Sequence, residues 1–210
     1  MSGLLSRVVV AATIGDVPWL LGAVLLTLAF AFVLQGLAGS RQSITGAIGT
    51  SVLGTLWIAL GLAHVILLRD LPVEGRLAVF TVLIAVFAAD TLAYFAGRLV
   101  GRHKLAPAIS PGKTWEGFVA GTIAAVAVAF FALYPDRDSF LTIGESIVLG
   151  VVVAVAAALG DLFESALKRD MGVKDSGRIL AGHGGVLDRI DAHLFAAPAA
   201  FYVILAFGAG

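Results

Sequence analysis

Four polar residues at the end of one apolar stretch have the types and the spacing to bind ions. They are Asp161, Glu164, Ser165 and Lys168, and they follow residues 146–160, where Ser146 is the single polar side chain. The spacing i, i+3, i+4, i+7 places all four on one face of a helix. Snorkelling to the membrane interface accounts for the long Lys168 but poorly for the short Asp161. We therefore assign Asp161 and Glu164 to a functional site.

A further acidic residue, Asp90, lies about two turns before the end of another apolar stretch. A carboxylate within a membrane span costs about 2.5 to 3.5 kcal/mol on insertion scales, so it should face a partner or a wet cavity. Tyr94, at i+4, or a lysine from a loop is a candidate partner. Two interpretations stay open for Asp90: a hydrogen bond in helix packing, or a place in the same site.

The stretch HGGVLDRID, residues 183–191, contains two adjacent glycines followed by two more acidic residues. Gly184 and Gly185 permit close approach of the backbone to an anion, and a helix that starts nearby would direct its free N–H groups at a phosphate. Asp188 and Asp191, at i and i+3, share a helical face. With a third carboxylate such as Asp161 they suit Mg²⁺, which prefers oxygen ligands and substrate phosphate. A salt bridge from Asp188 to Arg189 or a loop lysine is the alternative, but it leaves the glycines unexplained.

The stretch ISPGKTWEG, residues 109–117, contains a Gly-Lys-Thr tripeptide that is not a P-loop. Pro107 stands where that motif needs glycine, and we expect no preceding strand in a helical membrane chain. The hydroxyls of Ser110 and Thr114 and a mobile Lys113, in a turn before a span, instead suit phosphate binding. Trp115 is interpreted as an interface anchor.

The composition defines the elements that must hold these residues. Hydrophobic residues make up 60% and charged residues 13% of the 210, with a mean hydropathy of +1.01, whereas soluble domains are about a quarter charged. We predict an all-α polytopic membrane protein with two polar loops and a retained N-terminus. Its six predicted spans are 17–38, 44–68, 77–97, 117–134, 146–167 and 192–208. The zero net charge gives no reason to expect nucleic acid as a partner, and the lack of cysteine excludes disulfides and thiolate metal sites.

The basic residues predict an orientation. Loops near 39–43, 98–116 and 168–191 hold ten of the fourteen lysines and arginines, so the positive-inside rule places them in the cytoplasm. We find no internal repeat and predict one domain, 1–210, in which 1–75 forms N-terminal spans and 76–210 the catalytic portion.

Residues 165–191, SALKRDMGVKDSGRILAGHGGVLDRID, closely resemble the signature of the phosphatidate cytidylyltransferases, also called CDP-diacylglycerol synthases. The residues in register are Lys168, Arg169, Lys174, Asp175, His183, Gly184, Gly185, Asp188, Arg189 and Asp191. The upstream stretch ADTLAYFAGRLVGRHKLAPAISPGKTWEG is similar as well, so the likeness covers residues 85–195. One departure is Ala181, where the family usually has proline.

The resemblance implies transfer of CMP from CTP to phosphatidate, which gives CDP-diacylglycerol and pyrophosphate. The carboxylates described above predict Mg²⁺ as the cofactor. Our hypothesis assigns Asp161, Asp188 and Asp191 to the metal, with Glu164 beside them. The catalytic set is Lys168, Arg169, Asp188 and Arg189, and the substrate-binding set is Ser110, Lys113, Thr114, Ser165, Lys174, His183, Gly184 and Gly185. We expect the protein to lie in a bacterial inner membrane, in contact with bilayer lipid, with its site facing the cytoplasm. Whether it forms a homodimer is left open.

Two other functions stay open at this stage. An ion-coupled transporter also uses intramembrane acids such as Asp90, Asp161 and Glu164, although transporters more often show repeated halves. A CTP-dependent lipid kinase would use similar phosphate-binding residues but would transfer the γ-phosphoryl group.

Overall fold

The computed structural model of the chain describes residues 25–34, 44–173 and 185–208. Most of them are helical. In chain order the elements are α1 (Leu25–Leu34), α2 (Ile44–Arg69), α3 (Gly75–Val100), β1 (Lys104–Ala106), β2 (Ser110–Thr114), α4 (Trp115–Leu133), a 3₁₀ turn (Tyr134–Asp136), α5 (Ile143–Asp170) and α6 (Leu187–Ala206).

Five helices in the described part of the chain, α2 to α6, are long and apolar enough to cross a membrane. The chain is therefore an integral membrane protein of mainly helical class, as predicted. Five of the six predicted spans correspond to these helices. The other predicted span, 17–38, contains α1 between Leu25 and Leu34, and its remaining residues lie outside the described part.

The helix that carries Asp161, Glu164, Ser165 and Lys168 continues beyond the apolar residues 146–160. Those fifteen residues alone are too short to cross the hydrocarbon core of a bilayer. α5 begins after Thr142, whose hydroxyl accepts a hydrogen bond from the backbone N–H of Glu145, while the Glu145 carboxylate accepts one from the N–H of Thr142. It ends before Gly172, which has a positive φ of 67°, a conformation that suits glycine at a helix end. Asp161 and Glu164 therefore lie well inside the helix.

The segment between α3 and α4 forms an antiparallel hairpin, which the all-α prediction did not contain. Lys104 pairs with Thr114 and Ala106 with Ser110. The expectation that no strand precedes the Gly-Lys-Thr tripeptide was wrong, because β1 precedes it. The expected turn was wrong as well, because Lys113 lies in β2. The strands have three and five residues, too few for an alternating pattern to be recognised in the sequence.

The chain divides into two compact units, residues 1–61 and residues 62–209. The first contains α1 and most of α2, where the Thr50 hydroxyl donates to the backbone oxygen of Gly46. In the second, α3 packs on α4, α4 on α5 and α5 on α6. Its core consists mainly of small and branched side chains, including Ala78, Val86, Ala125, Leu149, Ala196 and Ile204. Large apolar side chains on the outer faces, such as Phe80, Ile123 and Phe131, are exposed and suit contact with lipid.

Small residues let α5 and α6 approach closely. A Cβ atom at Gly160 would lie 2.6 Å from the backbone oxygen of Asp191, closer than van der Waals contact allows. Such contacts are typical of packed membrane helices. Because Gly160 precedes Asp161, this contact brings the acids of the two helices together.

Candidate active site

The second unit contains a cavity of about 720 Å³ where α3 and α5 end and where α4 and α6 begin. All four helices and the hairpin contribute to its wall. Most of its charged residues come from segments that are far apart in sequence. They are Asp90, Arg98, Lys104, Lys113, Asp161, Glu164, Lys168, Asp188 and Asp191.

Lys168 joins α5 to α6 at this cavity. Its Nζ donates to Glu164 Oε2, one turn earlier on α5, at 2.5 Å and to Asp188 Oδ1 at 2.7 Å. The second oxygen of Asp188 accepts a hydrogen bond from the N–H of Gly185 at 2.7 Å. Asp188 therefore fixes both the start of α6 and the backbone just before it.

Lys113 joins the hairpin to α5 in a similar way. Its Nζ lies 2.7 Å from Asp161 Oδ2 and 3.5 Å from the backbone oxygen of Ala158. Asp161 also accepts a hydrogen bond from the hydroxyl of Ser165 at 3.3 Å. Near the tip of the hairpin, Arg169 Nε donates to the backbone oxygen of Ile109 at 3.4 Å.

The base of the hairpin is held at the start of α4. His103 Nδ1 lies 2.6 Å from Glu116 Oε1, and the backbone N–H of His103 donates to the same carboxylate at 3.3 Å. The backbone N–H of Trp115 donates to the oxygen of His103 at 2.9 Å. Thr114 is buried and caps α4 by accepting a hydrogen bond from the N–H of Gly117. These contacts set the position of the strand that carries Lys113.

The inner part of the cavity has more negative than positive charge. Among the described residues, five carboxylates line it, whereas two cations, Lys113 and Lys168, are paired with them. Glu164 is 2% exposed, and no donor among the described residues reaches its Oε1. Asp191 lies within electrostatic range of Asp90 and Asp161.

The carboxylate oxygens that line this cavity are the kind of ligand that a magnesium ion prefers. In the part of the chain that the structure describes, no group of three or more acidic or histidine side chains is arranged to hold a metal ion by itself. Magnesium usually takes only one or two carboxylates and fills its other positions with water and substrate phosphate. The excess carboxylates and the unpartnered Glu164 oxygen therefore fit such an ion.

A sequence profile of the cytidylyltransferase family matches residues 3–207. The chain belongs to the cytidylyltransferase family. Among its relatives, the phosphatidate cytidylyltransferase of Haemophilus influenzae is 45% identical over 130 residues, which are 60% of this chain and 45% of that protein. The phosphatidate cytidylyltransferase of Bacillus subtilis is 37% identical over 164 residues, 76% of this chain and 59% of that protein. The uncharacterized protein YnbB of Escherichia coli is 36% identical over 174 residues, 81% of this chain and 58% of that protein. The chain spans about half the length of the curated relatives it matches.

Most of the site residues predicted from the sequence converge in this cytidylyltransferase-family chain. The predicted residues that line the cavity are Ser110, Lys113, Thr114, Asp161, Glu164, Lys168, Asp188 and Asp191. Ser165 and Gly185 bond to two of these acids. Arg169 and Arg189 are exposed and are not part of the cavity wall. Lys174, His183 and Gly184 lie outside the described residues.

Two further charged residues of the cavity, Arg98 and Lys104, received no role in the sequence analysis, and Tyr94 was considered there only as a partner of Asp90. The hydroxyl of Tyr94 accepts a hydrogen bond from Arg98 Nη1 at 2.9 Å, and no hydrogen bond joins Tyr94 to Asp90 among the described residues. Asp90 lies within electrostatic range of Asp161 and Lys113. Residues 90, 94 and 98 are spaced i, i+4, i+8, a pattern that places them on one helical face and could have revealed the group.

Proposed function

We propose that this cytidylyltransferase-family chain transfers CMP from CTP to phosphatidate and releases pyrophosphate. The observation that carries the proposal is one cavity that unites Lys113 of the hairpin, Lys168 of α5 and Asp188 of α6. These residues come from the two stretches that resemble the family signature. The names of the Haemophilus influenzae and Bacillus subtilis relatives support the choice of lipid substrate.

The reaction needs positioning more than proton transfer. A phosphate oxygen of phosphatidate, already anionic at neutral pH, forms a bond to the α-phosphorus of CTP. The bond from that phosphorus to the oxygen bridging to the β-phosphorus breaks, and its electron pair leaves with pyrophosphate. Because no proton must be removed from the attacking oxygen, the main obstacle is repulsion between two anions.

The two paired lysines can reduce that repulsion. Lys113 and Lys168 each exchange a carboxylate partner for a phosphate oxygen when substrates enter the cavity. The exchange replaces one ion pair by another, so the lysine keeps a charged partner throughout. Holding both lysines in the same wall also fixes the reacting groups relative to each other.

One or two of Asp161, Asp188 and Asp191 would hold magnesium, with Glu164 beside them and with water and substrate phosphate in the remaining positions. The ion would supply positive charge that offsets the charge on the transferred group. Two observations support this assignment: the carboxylates that line the cavity outnumber the lysines paired with them, and Glu164 Oε1 has no hydrogen-bond donor among the described residues. We place the site at the cytoplasmic face of a bacterial inner membrane, where CTP meets a lipid headgroup, because ten of the fourteen lysines and arginines lie in the three loops predicted to be cytoplasmic.

The test is a labelling assay on the purified protein with phosphatidate. Label from α-labelled CTP should enter CDP-diacylglycerol, and only with a divalent metal. Entry of γ-label into lipid would indicate a kinase, and ion uptake by proteoliposomes without CTP consumption would indicate a transporter.

The substitution Asp188→Asn tests directly whether the Asp188 carboxylate takes part in the reaction. It should lower kcat by at least about 100-fold, the scale for loss of a group that stabilises transition-state charge. Asp138→Asn is the matched control, since Asp138 has an 88% exposed side chain and lies in the turn before α5, away from the cavity. Melting of each variant in detergent confirms folding. Full activity of folded Asp188→Asn protein would remove Asp188 from the reaction.

A further inference from the structure

The cations of the cavity wall fall into two groups. Lys113 and Lys168 form ion pairs with the acids of the site. Arg98 and Lys104 also line the cavity, but neither forms an ion pair with any residue that the structure describes. We call Arg98 and Lys104 the basic rim. An anion can bind the basic rim without displacing a carboxylate.

Tyr94 orients Arg98 within this rim. The two residues are one turn apart on α3, and the hydrogen bond between them uses Arg98 Nη1. A guanidinium group carries five N–H donors in a fixed plane, so most of its donors remain for a ligand. A planar fork of this kind matches two oxygens of a phosphate group.

The surroundings of the basic rim indicate which phosphate binds there. Arg98 lies in the last turn of α3, eight residues after Asp90, so about 12 Å along the helix from that acid. Beside it, Phe95 and Leu99 are 55% and 80% exposed and present an apolar surface next to the cavity. A ligand with acyl chains can lie against that surface while its phosphate contacts the rim.

We propose that Arg98, positioned by Tyr94 and assisted by Lys104, binds the phosphate monoester of the lipid substrate. The proposal deepens the proposed function and rests on it. Two anionic substrates need two sets of cations in one cavity. Lys113 and Lys168, beside the acids, serve the nucleotide with its metal ion, and the basic rim serves the lipid. Simple snorkelling of Arg98 to the interface is the competing explanation.

The binding experiment uses full-length protein in neutral detergent without CTP. Phosphatidate and diacylglycerol with the same acyl chains are titrated, since they differ only in the phosphate. Arg98→Gln should weaken phosphatidate binding about 10- to 100-fold, the range for a hydrogen bond to a charged group. Diacylglycerol binding should not change. Tyr94→Phe should weaken phosphatidate binding less, because it leaves the charge and removes only the orienting hydroxyl.

Arg102→Gln is the matched control, because Arg102 is exposed and only four residues after Arg98 but does not line the cavity. It should leave phosphatidate binding within about twofold, as expected for an exposed charge. Equal losses in Arg98→Gln and Arg102→Gln would show general attraction of anionic lipid and would overturn the proposal. Unchanged binding in Arg98→Gln would show that Arg98 only snorkels.

Kinetics separate the lipid from the nucleotide as the source of the phosphate. Arg98→Gln should raise KM for phosphatidate and leave KM for CTP unchanged. A rise in KM for CTP alone would assign the rim to the nucleotide. If the wild-type protein bound phosphatidate through Arg98 but made no CDP-diacylglycerol, the proposed function would fail and the lipid site would stand.

Discussion

The two lysines of the cavity make similar ion pairs but are held very differently. Lys168 links two packed helices, and the side chains of Lys168 and Glu164 are 15% and 2% exposed. Lys113 extends from a short hairpin, and the side chains of Lys113 and its partner Asp161 are 23% and 34% exposed. Removing one member of a buried pair leaves an uncompensated charge, whereas water screens a partly exposed pair. Lys168 is therefore part of the fold as well as the site, and Lys113 is mainly part of the site.

The largest effect should come from Lys168→Met. This change leaves the buried Glu164 carboxylate without its cation, so we expect the free energy of unfolding to fall by about 3 kcal/mol together with activity. Unfolding in mixed micelles of a denaturing detergent measures the loss. Adding Glu164→Gln should recover part of the stability, because it neutralises the stranded carboxylate. An unchanged free energy of unfolding in Lys168→Met would show that Lys168, like Lys113, contributes little to the stability of the fold.

The same substitution at Lys113 should separate activity from stability. Lys113→Met removes a cation from the nucleotide region, so kcat/KM should fall about 100-fold. The free energy of unfolding should change by less than about 1 kcal/mol, because the pair with Asp161 is partly exposed. Both quantities are measured on the same preparation. A loss of stability as large as that of Lys168→Met would show that the hairpin is as firmly integrated as the helices.

A smaller effect should come from the base of the hairpin. Glu116→Gln weakens the contact with His103, and we expect KM for CTP to rise about two- to fivefold, the scale of an exposed ion pair. Glu116 acts here as a positioning residue through Lys113. In a Lys113→Met background the change should therefore have no further effect on KM. Additive effects of the two substitutions would show that Glu116 acts independently of the lysine.

Much of the fold could be predicted because a membrane-spanning helix is one contiguous apolar segment, which the hydropathy of the sequence shows directly. The extension of α5 through Asp161 followed from the length needed to cross the bilayer, and α5 does end later, at Asp170. The spacing of Asp161, Glu164 and Lys168 likewise predicted one face, and all three line the cavity. The hairpin was missed because the pairing of β1 with β2 depends on residues brought together by α3 and α4.

The amino-acid sequence alone determined the membrane class, five of the spans, the shared helical face of Asp161, Glu164 and Lys168, and the family, since each depends on local periodicity or on a contiguous motif. The tertiary structure decided the partners. Lys113 meets Asp161 because a hairpin folds over α5, and Lys168 meets Asp188 because glycine lets α6 approach α5. Whether a charge is paired inside the site or remains available at its rim, as for Arg98, depends on distances between helices that no single segment encodes.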